Sequence, residues 1–273
     1  MNQFEFLRAI PLGQYLPVES PLHRFDPRAR MIAYSLLLMG LTFTHKMAGI
    51  ALGLAIILLL LRLGRIPYRF ALRGLLPPLP FLLILALLQV LLNHPLANEK
   101  VLLALGPIAI APSGLIVGVM LLLRFMALIL IIGVATGTLS TGEMTGGLNA
   151  LFRPLAGLGI PAQDLVMVVQ VTLRFLPLLA QTTERIAKAQ ASRGANWDSR
   201  KGNLLARMRQ VIPVIIPMFL ASLRRAEAMA LAMDARAYGS SPQRTSLVEL
   251  HFGLWDAFLI AGALLAGAGI LYL

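Results

Sequence analysis

The sequence contains no cysteine among its 273 residues, and charged residues are scarce. Without cysteine the chain cannot form a disulfide, a thiolate metal site or a cysteine nucleophile. Charged residues make up 13% of the chain and hydrophobic residues 58%, whereas a soluble domain is about 25% charged. This composition is typical of an integral membrane protein.

Histidine and acidic residues are also few. The four histidines lie far apart and none has the spacing of a zinc site, so we expect neither a metal centre nor a metalloenzyme. The sequence has no G-x-x-x-x-G-K-[ST] phosphate loop, so we do not expect this chain to hydrolyse ATP. We therefore expect a non-catalytic protein that carries no cofactor. A membrane-embedded enzyme acting on lipid is the alternative from another class, but it needs a cluster of acids or histidines, and the sequence offers none.

Apolar runs predict about five membrane-spanning helices, because each run approaches the roughly 20 residues that a span requires. The first two are short and meet at "THK", which predicts a tight hairpin or a thinned bilayer. We expect an all-α polytopic membrane protein in three parts: an N-terminal tail with four spans (1–136), a cytoplasmic coupling domain of long helices (137–250) and a last span (251–273). The predicted spans are 31–45, 47–61, about 75–93, 114–136 and 254–273.

The net charge of +12 is distributed unevenly. Basic residues concentrate at 8–30, 62–73 and 185–244, whereas the loops at 46 and 94–113 carry only Lys46 and Lys100. Because cytoplasmic loops are enriched in Lys and Arg, we expect the N-terminus and the coupling domain to lie in the cytoplasm. The chain would then be a multi-pass protein of the inner (plasma) membrane. Nucleic-acid binding is not expected, because no basic stripe interleaved with aromatic residues occurs on a soluble domain.

The region 137–250 begins with a Gly- and Thr-rich run at 137–147, which we expect to be a flexible connection. Two long helical patterns follow, at about 162–193 and 203–238. Each is apolar over half its length and polar over the rest, which suits helices that lie on the membrane surface and project into the cytoplasm. Alternatively, 163–180 and 204–222 are ordinary spans. Arg174 in the first pattern, and the prolines of the second, make that alternative less favoured.

Both long helices finish on an arginine beside small residues. "AKAQASRGAN" places Arg193 before Gly194, and "ALAMDARAYG" places Arg236 before a Tyr-Gly stop. A cation in the last turn followed by glycine also stabilises a helix end, so a capping role alone remains open. Because the pattern occurs twice on adjacent helices, we interpret both ends as helix tips that enter a partner's groove. The candidate docking residues are Ser192, Arg193, Gly194, Ala235, Arg236 and Ala237.

These endings resemble the paired Ala-Arg-Gly endings of the transmembrane T component of energy-coupling factor transporters, a family that includes the cobalt-transporter permease subunit. The resemblance continues in order through "HRFDPRARM", "LGIPAQDLVMVVQVTLRFLPLL" and "VIPVIIPMFLASLRRAE". It implies a membrane scaffold whose Arg193 and Arg236 dock two ABC-type ATPases, and which holds a small substrate-binding membrane subunit. Such a complex would take up a vitamin or a transition-metal ion. This sequence departs from the family pattern at two positions, since Ser192 replaces the usual Ala and Ala237 the usual Gly.

Two further questions stay open at this point. Within transport, the alternative is a conventional ABC permease subunit that lines its own pathway. Such a subunit would show a single coupling-helix loop.

The second question concerns Arg124, which lies in the middle of a predicted span. A charge there is costly, so it should face the helix bundle and pair. Arg124 would serve either a coupling or subunit contact, or an internal bond to carbonyls, Gln89 or Asn93. We favour the internal bond.

Overall fold

A computed structural model describes residues 18, 20–92, 103–105, 108–152, 162–194, 204–240 and 251–273. Contacts between residues divide the chain into two compact units. The first, here called the long-helix unit, consists of Met1–Leu12 and Gly159–Glu249. The second, here called the membrane unit, consists of Gly13–Leu158 and Leu250–Leu273.

The described part of the membrane unit is helical apart from one small hairpin. Its first helix begins at Pro27, where the Asp26 side chain caps the helix by accepting a hydrogen bond from the Arg28 N–H at 2.8 Å. A 3₁₀ turn, Pro21–Arg24, precedes it. The elements are α1 (Pro27–Phe43), α2 (Met47–Leu63), α3 (Tyr68–Arg73), α4 (Leu79–Leu92), the antiparallel pair β1 (Leu103–Leu105) and β2 (Ile108–Ile110), α5 (Pro112–Thr138), α6 (Thr141–Phe152) and α9 (Leu254–Tyr272).

Helix α5 forms the centre of the membrane unit and packs against α1, α2, α3 and α4. Helix α9 lies along α1 and α2, where glycines allow the backbones to approach. A Cβ atom added to Gly40 of α1 would lie 3.1 Å from the Cα of Gly267 in α9. Small residues are the usual means by which membrane helices pack closely. The side chains buried between these helices include Leu37, Leu41, Ile57, Leu61, Ile131, Val134 and Ile270.

The long-helix unit contains α7 (Ala162–Ser192) and α8 (Leu204–Ala235), which pack against each other. The Thr183 hydroxyl donates to the Met218 sulfur at 2.9 Å, and the Gln190 amide donates to the Pro213 carbonyl at 3.4 Å. The later residue of α7 therefore pairs with the earlier residue of α8, so the two helices are antiparallel. Each helix continues through its internal prolines.

The structure confirms the all-α fold and places helices at every predicted span. Helices α1 and α2 are separated by three residues, as the short apolar runs predict. Among the described residues, α5, Asp164–Ser192 within α7 and α9 are long and apolar enough to cross a membrane, whereas α2 and α4 are shorter apolar helices. By length and composition α7 thus suits a span as well as a surface helix, and the number of spans stays a prediction.

Two local features differ from expectation. The sequence does not predict the small β1–β2 hairpin. The Gly- and Thr-rich run, expected to be flexible, instead contributes most of α6, which packs against α1. The reason is a capping box: the Ser140 hydroxyl accepts from the Glu143 N–H at 3.2 Å, while the Glu143 carboxylate accepts from the Ser140 N–H at 2.9 Å. Contacts between residues group α6 with the membrane unit. The predicted functional domain boundaries at 137 and 250 are not tested by this grouping and stay predictions.

Candidate functional site

The first predicted docking residues form the C-terminal cap of α7. Helix α7 ends at Ser192, whose hydroxyl donates to the Ala189 carbonyl at 2.8 Å. The Gly194 N–H donates to the Ala191 carbonyl at 3.0 Å, and Gly194 has φ +87°. Because only glycine adopts this left-handed conformation at little cost, Gly194 fixes the point at which the helix stops. Arg193 is thereby held in the turn, between the last helical residue and Gly194.

The second predicted docking residues form a cap of the same kind on α8. The Ala237 N–H donates to the Asp234 carbonyl at 2.8 Å, and the Tyr238 N–H donates to the Met233 carbonyl at 3.0 Å. These two bonds define a Schellman motif. Ala237 occupies its left-handed position with φ +54°, where Gly194 stands in the first cap. Arg236 therefore holds the same structural position as Arg193.

Both arginine side chains are exposed. Within the part of the chain that the structure describes, neither guanidinium makes a hydrogen bond or an ion pair. Both positions bear a positive charge at a helix C-terminus, which the macrodipole favours modestly. The five N–H donors of each guanidinium remain available to a partner.

The antiparallel packing of α7 and α8 directs the two arginines away from each other. Arg193 lies ten residues beyond Thr183, and Arg236 lies eighteen residues beyond Met218, in the opposite direction. At 1.5 Å per residue these separations are about 15 Å and about 27 Å along the respective helix axes. One helix pair therefore presents an arginine at each of its two ends, which suits two separate binding partners.

Arg124 belongs to the membrane unit and lies in the middle of α5. It is half-buried, and its Nη2 donates to the backbone carbonyl of Thr44, the residue that ends α1. The carbonyl at a helix C-terminus carries partial negative charge, so it is a suitable acceptor for a guanidinium within a helix bundle. This contact is of the internal kind that the sequence favours for Arg124. A coupling role for Arg124 stays a prediction.

Sequence reasoning missed a buried polar network that joins α1, α5 and α6. Arg30 is fully buried, and donates to the Thr138 carbonyl at 2.5 Å and to the Glu143 carboxylate at 2.8 Å. The Tyr34 hydroxyl lies 2.9 Å from that of Thr138. The one signal in the sequence is the capping-box spacing of Ser140 and Glu143, which predicts a helix start there. Nothing in the sequence indicates that Glu143 also reaches Arg30.

The environment of Glu143 favours its charged form. Partial burial on its own would raise the pKa of Glu143, but the Ser140 N–H and the Arg30 guanidinium together outweigh burial and hold that pKa below its usual range. The carboxylate of Asp256 is buried, and it accepts from the Asp26 N–H and from the Gly253 N–H, both at 2.8 Å. It thus ties the start of α9 to the start of α1. These contacts assign structural roles to both acids.

The described residues contain no group of three or more His, Asp or Glu side chains that could hold a metal ion. The carboxylates of Asp26, Glu143 and Asp256 cap helix starts, Glu143 also pairs with an arginine, and Glu184 pairs with a lysine. The arrangement offers hydrogen-bond donors at two helix ends rather than an acid–base pair. Long apolar helices packed through glycines are typical of a membrane protein, and the two exposed arginine tips are the positions predicted to dock partners.

Comparison with known proteins identifies the family. A family model described as "CbiQ: Cobalt transport protein" matches residues 18–247, so the chain belongs to this family. A relative from Thermosediminibacter oceani is 33% identical over 264 residues, covering 96% of this chain and 97% of its own length. One from Heliobacterium modesticaldum is 38% identical, with 89% and 90% covered, and one from Bacillus subtilis is 31% identical, with 96% and 97% covered. All three bear the name energy-coupling factor transporter transmembrane protein EcfT.

Proposed function

We propose that this chain is the transmembrane component of an energy-coupling factor transporter, and that it couples ATP hydrolysis by two ABC-type ATPases to a small substrate-binding membrane subunit. The observation that carries the proposal is the pair of matched C-terminal caps. They hold Arg193 and Arg236 exposed at the two opposite ends of the antiparallel α7–α8 pair. Two partners of similar shape would each receive one arginine. The names of the relatives support the same assignment.

The ATPases supply the catalysis in this proposal, and the chain itself is a non-catalytic scaffold. The transported substrate is bound by the small membrane subunit, and its proposed class is a vitamin or a transition-metal ion. The name of the matching family supports a metal ion such as cobalt. The complex lies in the plasma membrane, with the N-terminus and the arginine-bearing helix ends in the cytoplasm, where ATP is available.

Replacing the two arginines by alanine tests the docking role. If each is an anchor at the centre of a groove, its loss costs roughly 2 kcal/mol, which is about a thirtyfold loss of affinity. Arg193→Ala and Arg236→Ala should each weaken ATPase binding, and the double variant should nearly abolish it. Arg→Lys should rescue poorly, because an ammonium lacks the planar fork that pairs with two acceptors. The measurement is the amount of ATPase that stays on the affinity-purified chain.

Matched controls are available on the same helices. Arg185 of α7 and Arg224 of α8 are also exposed, so Arg185→Ala and Arg224→Ala remove the same charge without touching a helix end. Both controls should keep ATPase retention normal at equal expression. If the Arg193→Ala, Arg236→Ala double variant also retained its ATPases, the arginines would be helix caps only, worth roughly 0.3–1 kcal/mol each.

A further inference from the structure

The turn between α2 and α3 concentrates positive charge that the docking role does not use. Arg62, Arg65, Arg69 and Arg73 fall within twelve residues, and the sequence has no Asp or Glu between Asp26 and Glu99. The side chains of Arg62, Arg65 and Arg69 are exposed. These arginines therefore have no acidic neighbour along the chain, and the charge of Arg62 and Arg69 is available at the surface.

The backbone of this turn is fixed by a Schellman motif at the end of α2. The Arg65 N–H donates to the Arg62 carbonyl and the Ile66 N–H to the Leu61 carbonyl, both at 3.1 Å. Leu61 and Ile66, which flank the turn, are almost completely buried. The motif holds Arg62 and Arg65 on the same tight turn. The shape of the turn is thus set by its own hydrogen bonds and by the core beneath it.

Arg65 occupies the left-handed position of that motif, with φ +51°. Residues other than glycine rarely adopt this conformation. The residue before Arg65 is a glycine, Gly64. A Cβ atom on Gly64 would lie 3.0 Å from the Leu60 carbonyl oxygen and 3.2 Å from Leu22. Gly64 therefore relieves crowding, and the left-handed position itself carries an arginine.

A hydrogen bond brings α3 into the same cluster. The Arg62 Nε donates to the Tyr68 hydroxyl at 3.2 Å, and Tyr68 is followed by Arg69. Among the described residues, the terminal nitrogens of Arg62 and the whole guanidinium of Arg69 make no hydrogen bond. Apolar side chains border the charges, since Leu63, Tyr68 and Leu72 are each more than 40% exposed. The cluster thus joins free guanidinium donors to side chains of the kind that enter a lipid interface.

We infer that the α2–α3 turn binds the phosphate of an anionic lipid headgroup at the membrane surface. Arg62 and Arg69 donate to the phosphate oxygens, Arg65 adds charge from the fixed turn, and the flanking apolar side chains contact the acyl chains. Arginine pairs with phosphate through two parallel hydrogen bonds, and basic clusters directly beside a membrane helix attract anionic lipid. The inference rests only on the chain being a membrane protein and is independent of its partners.

Lipid preference next to the turn provides the test. The full chain would carry Trp197→Phe, Trp255→Phe and Leu63→Trp, so that tryptophan emission reports from position 63 alone. The protein is reconstituted in phosphatidylcholine vesicles that contain brominated phosphatidylglycerol or brominated phosphatidylcholine, whose bromines quench nearby tryptophan. We expect phosphatidylglycerol to bind at least about threefold more strongly, and this preference to fall about threefold or more when salt rises from about 0.1 M to about 1 M.

The decisive variant is Arg62→Gln, Arg65→Gln, Arg69→Gln, which should bind both lipids equally. Its matched control is Arg185→Gln, Arg224→Gln, Arg225→Gln, which removes three exposed arginines from α7 and α8 and should keep the preference. Equal loss in both variants would show that net charge draws the lipid, and would overturn the inference. So would a preference that is absent, independent of salt or unchanged in the first variant. If the first variant kept its lipid but lost the ATPases, the turn would be a protein contact instead.

Discussion

At the scale of single residues, Ala237 adopts a strained left-handed conformation at the turn that ends α8 after Ala235. Its φ of +54° is one that glycine adopts without strain. Ala237→Gly should therefore stabilise this helix end by about 1 kcal/mol. The substitution removes the strain of a left-handed residue that carries a Cβ atom, and this gain exceeds the extra conformational entropy that glycine loses on folding. The Tyr238 amide, which donates to the Met233 carbonyl, should then exchange its hydrogen more slowly. Ala235→Gly, at the last position within the helix, should instead make this amide exchange faster. Faster exchange in Ala237→Gly would refute this account.

The ion pair of Arg30 and Glu143 is the second feature at this scale. Glu143→Gln leaves the fully buried Arg30 without its counter-charge and should destabilise the protein by roughly 1–3 kcal/mol. This loss is smaller than for a deeply buried pair, because the Glu143 side chain is 32% exposed. Thermal unfolding of the purified protein measures the loss. Glu184→Gln is the matched control, since Glu184 pairs with an exposed Lys188 one helical turn away and should matter by less than about 0.5 kcal/mol.

The same pair predicts a dependence on pH. Because the pKa of Glu143 is lower in the folded protein than in the unfolded chain, its stabilising effect is complete at neutral pH and is lost as the pH falls through the folded-state pKa. The difference in unfolding temperature between wild type and Glu143→Gln should therefore be constant above about pH 5 and shrink below about pH 4. A difference that persisted unchanged in acid would mean that the carboxylate charge is not what stabilises the pair.

At the scale of helices, close packing through glycine makes the sharpest prediction. A Cβ atom on Gly49 of α2 would lie 2.2 Å from the carbonyl oxygen of Ile270 in α9, whereas one on Gly262 of α9 would meet nothing within 4 Å. Gly49→Ala should push the two helices apart and cost about 1–3 kcal/mol. Gly262→Ala should be neutral or slightly stabilising, since alanine favours the helix. Thermal unfolding distinguishes them, and equal effects would show that α2 and α9 do not touch at Gly49.

The helices were the part of the fold most open to prediction from sequence. Long apolar runs predict where the apolar helices lie, and the predicted end of α7 at 193 is one residue from the observed Ser192. The three-residue strands β1 and β2 are too short for an alternating pattern to stand out. Arg30 and Glu143 lie 113 positions apart, and no local pattern reports such a contact. Likewise, the sequence indicates two arginine-ended helices, but their opposite directions follow from contacts such as Thr183 with Met218.

At the scale of the whole molecule, the distribution of charge predicts orientation. Arginine and lysine concentrate at the N-terminus, in the α2–α3 turn and around the long helices, whereas Lys46 alone marks the α1–α2 connection. Because positively charged loops stay in the cytoplasm, residue 240 should lie inside the cell and residue 45 outside. The chain has no cysteine of its own, so a single introduced cysteine reports one position without background. Both Ser240 and His45 are exposed in the folded chain.

Cysteine labelling therefore tests the orientation directly. In intact cells a membrane-impermeant maleimide should label His45→Cys but not Ser240→Cys, and after permeabilisation it should label both. The second condition is the internal control, because it shows that the thiol introduced at position 240 is reactive and was protected only by the membrane. Labelling of the Ser240→Cys variant in intact cells would place the Arg236 end outside, away from ATP. The proposed docking of cytoplasmic ATPases would then fail, whereas the lipid site at the α2–α3 turn would remain testable on the opposite membrane face.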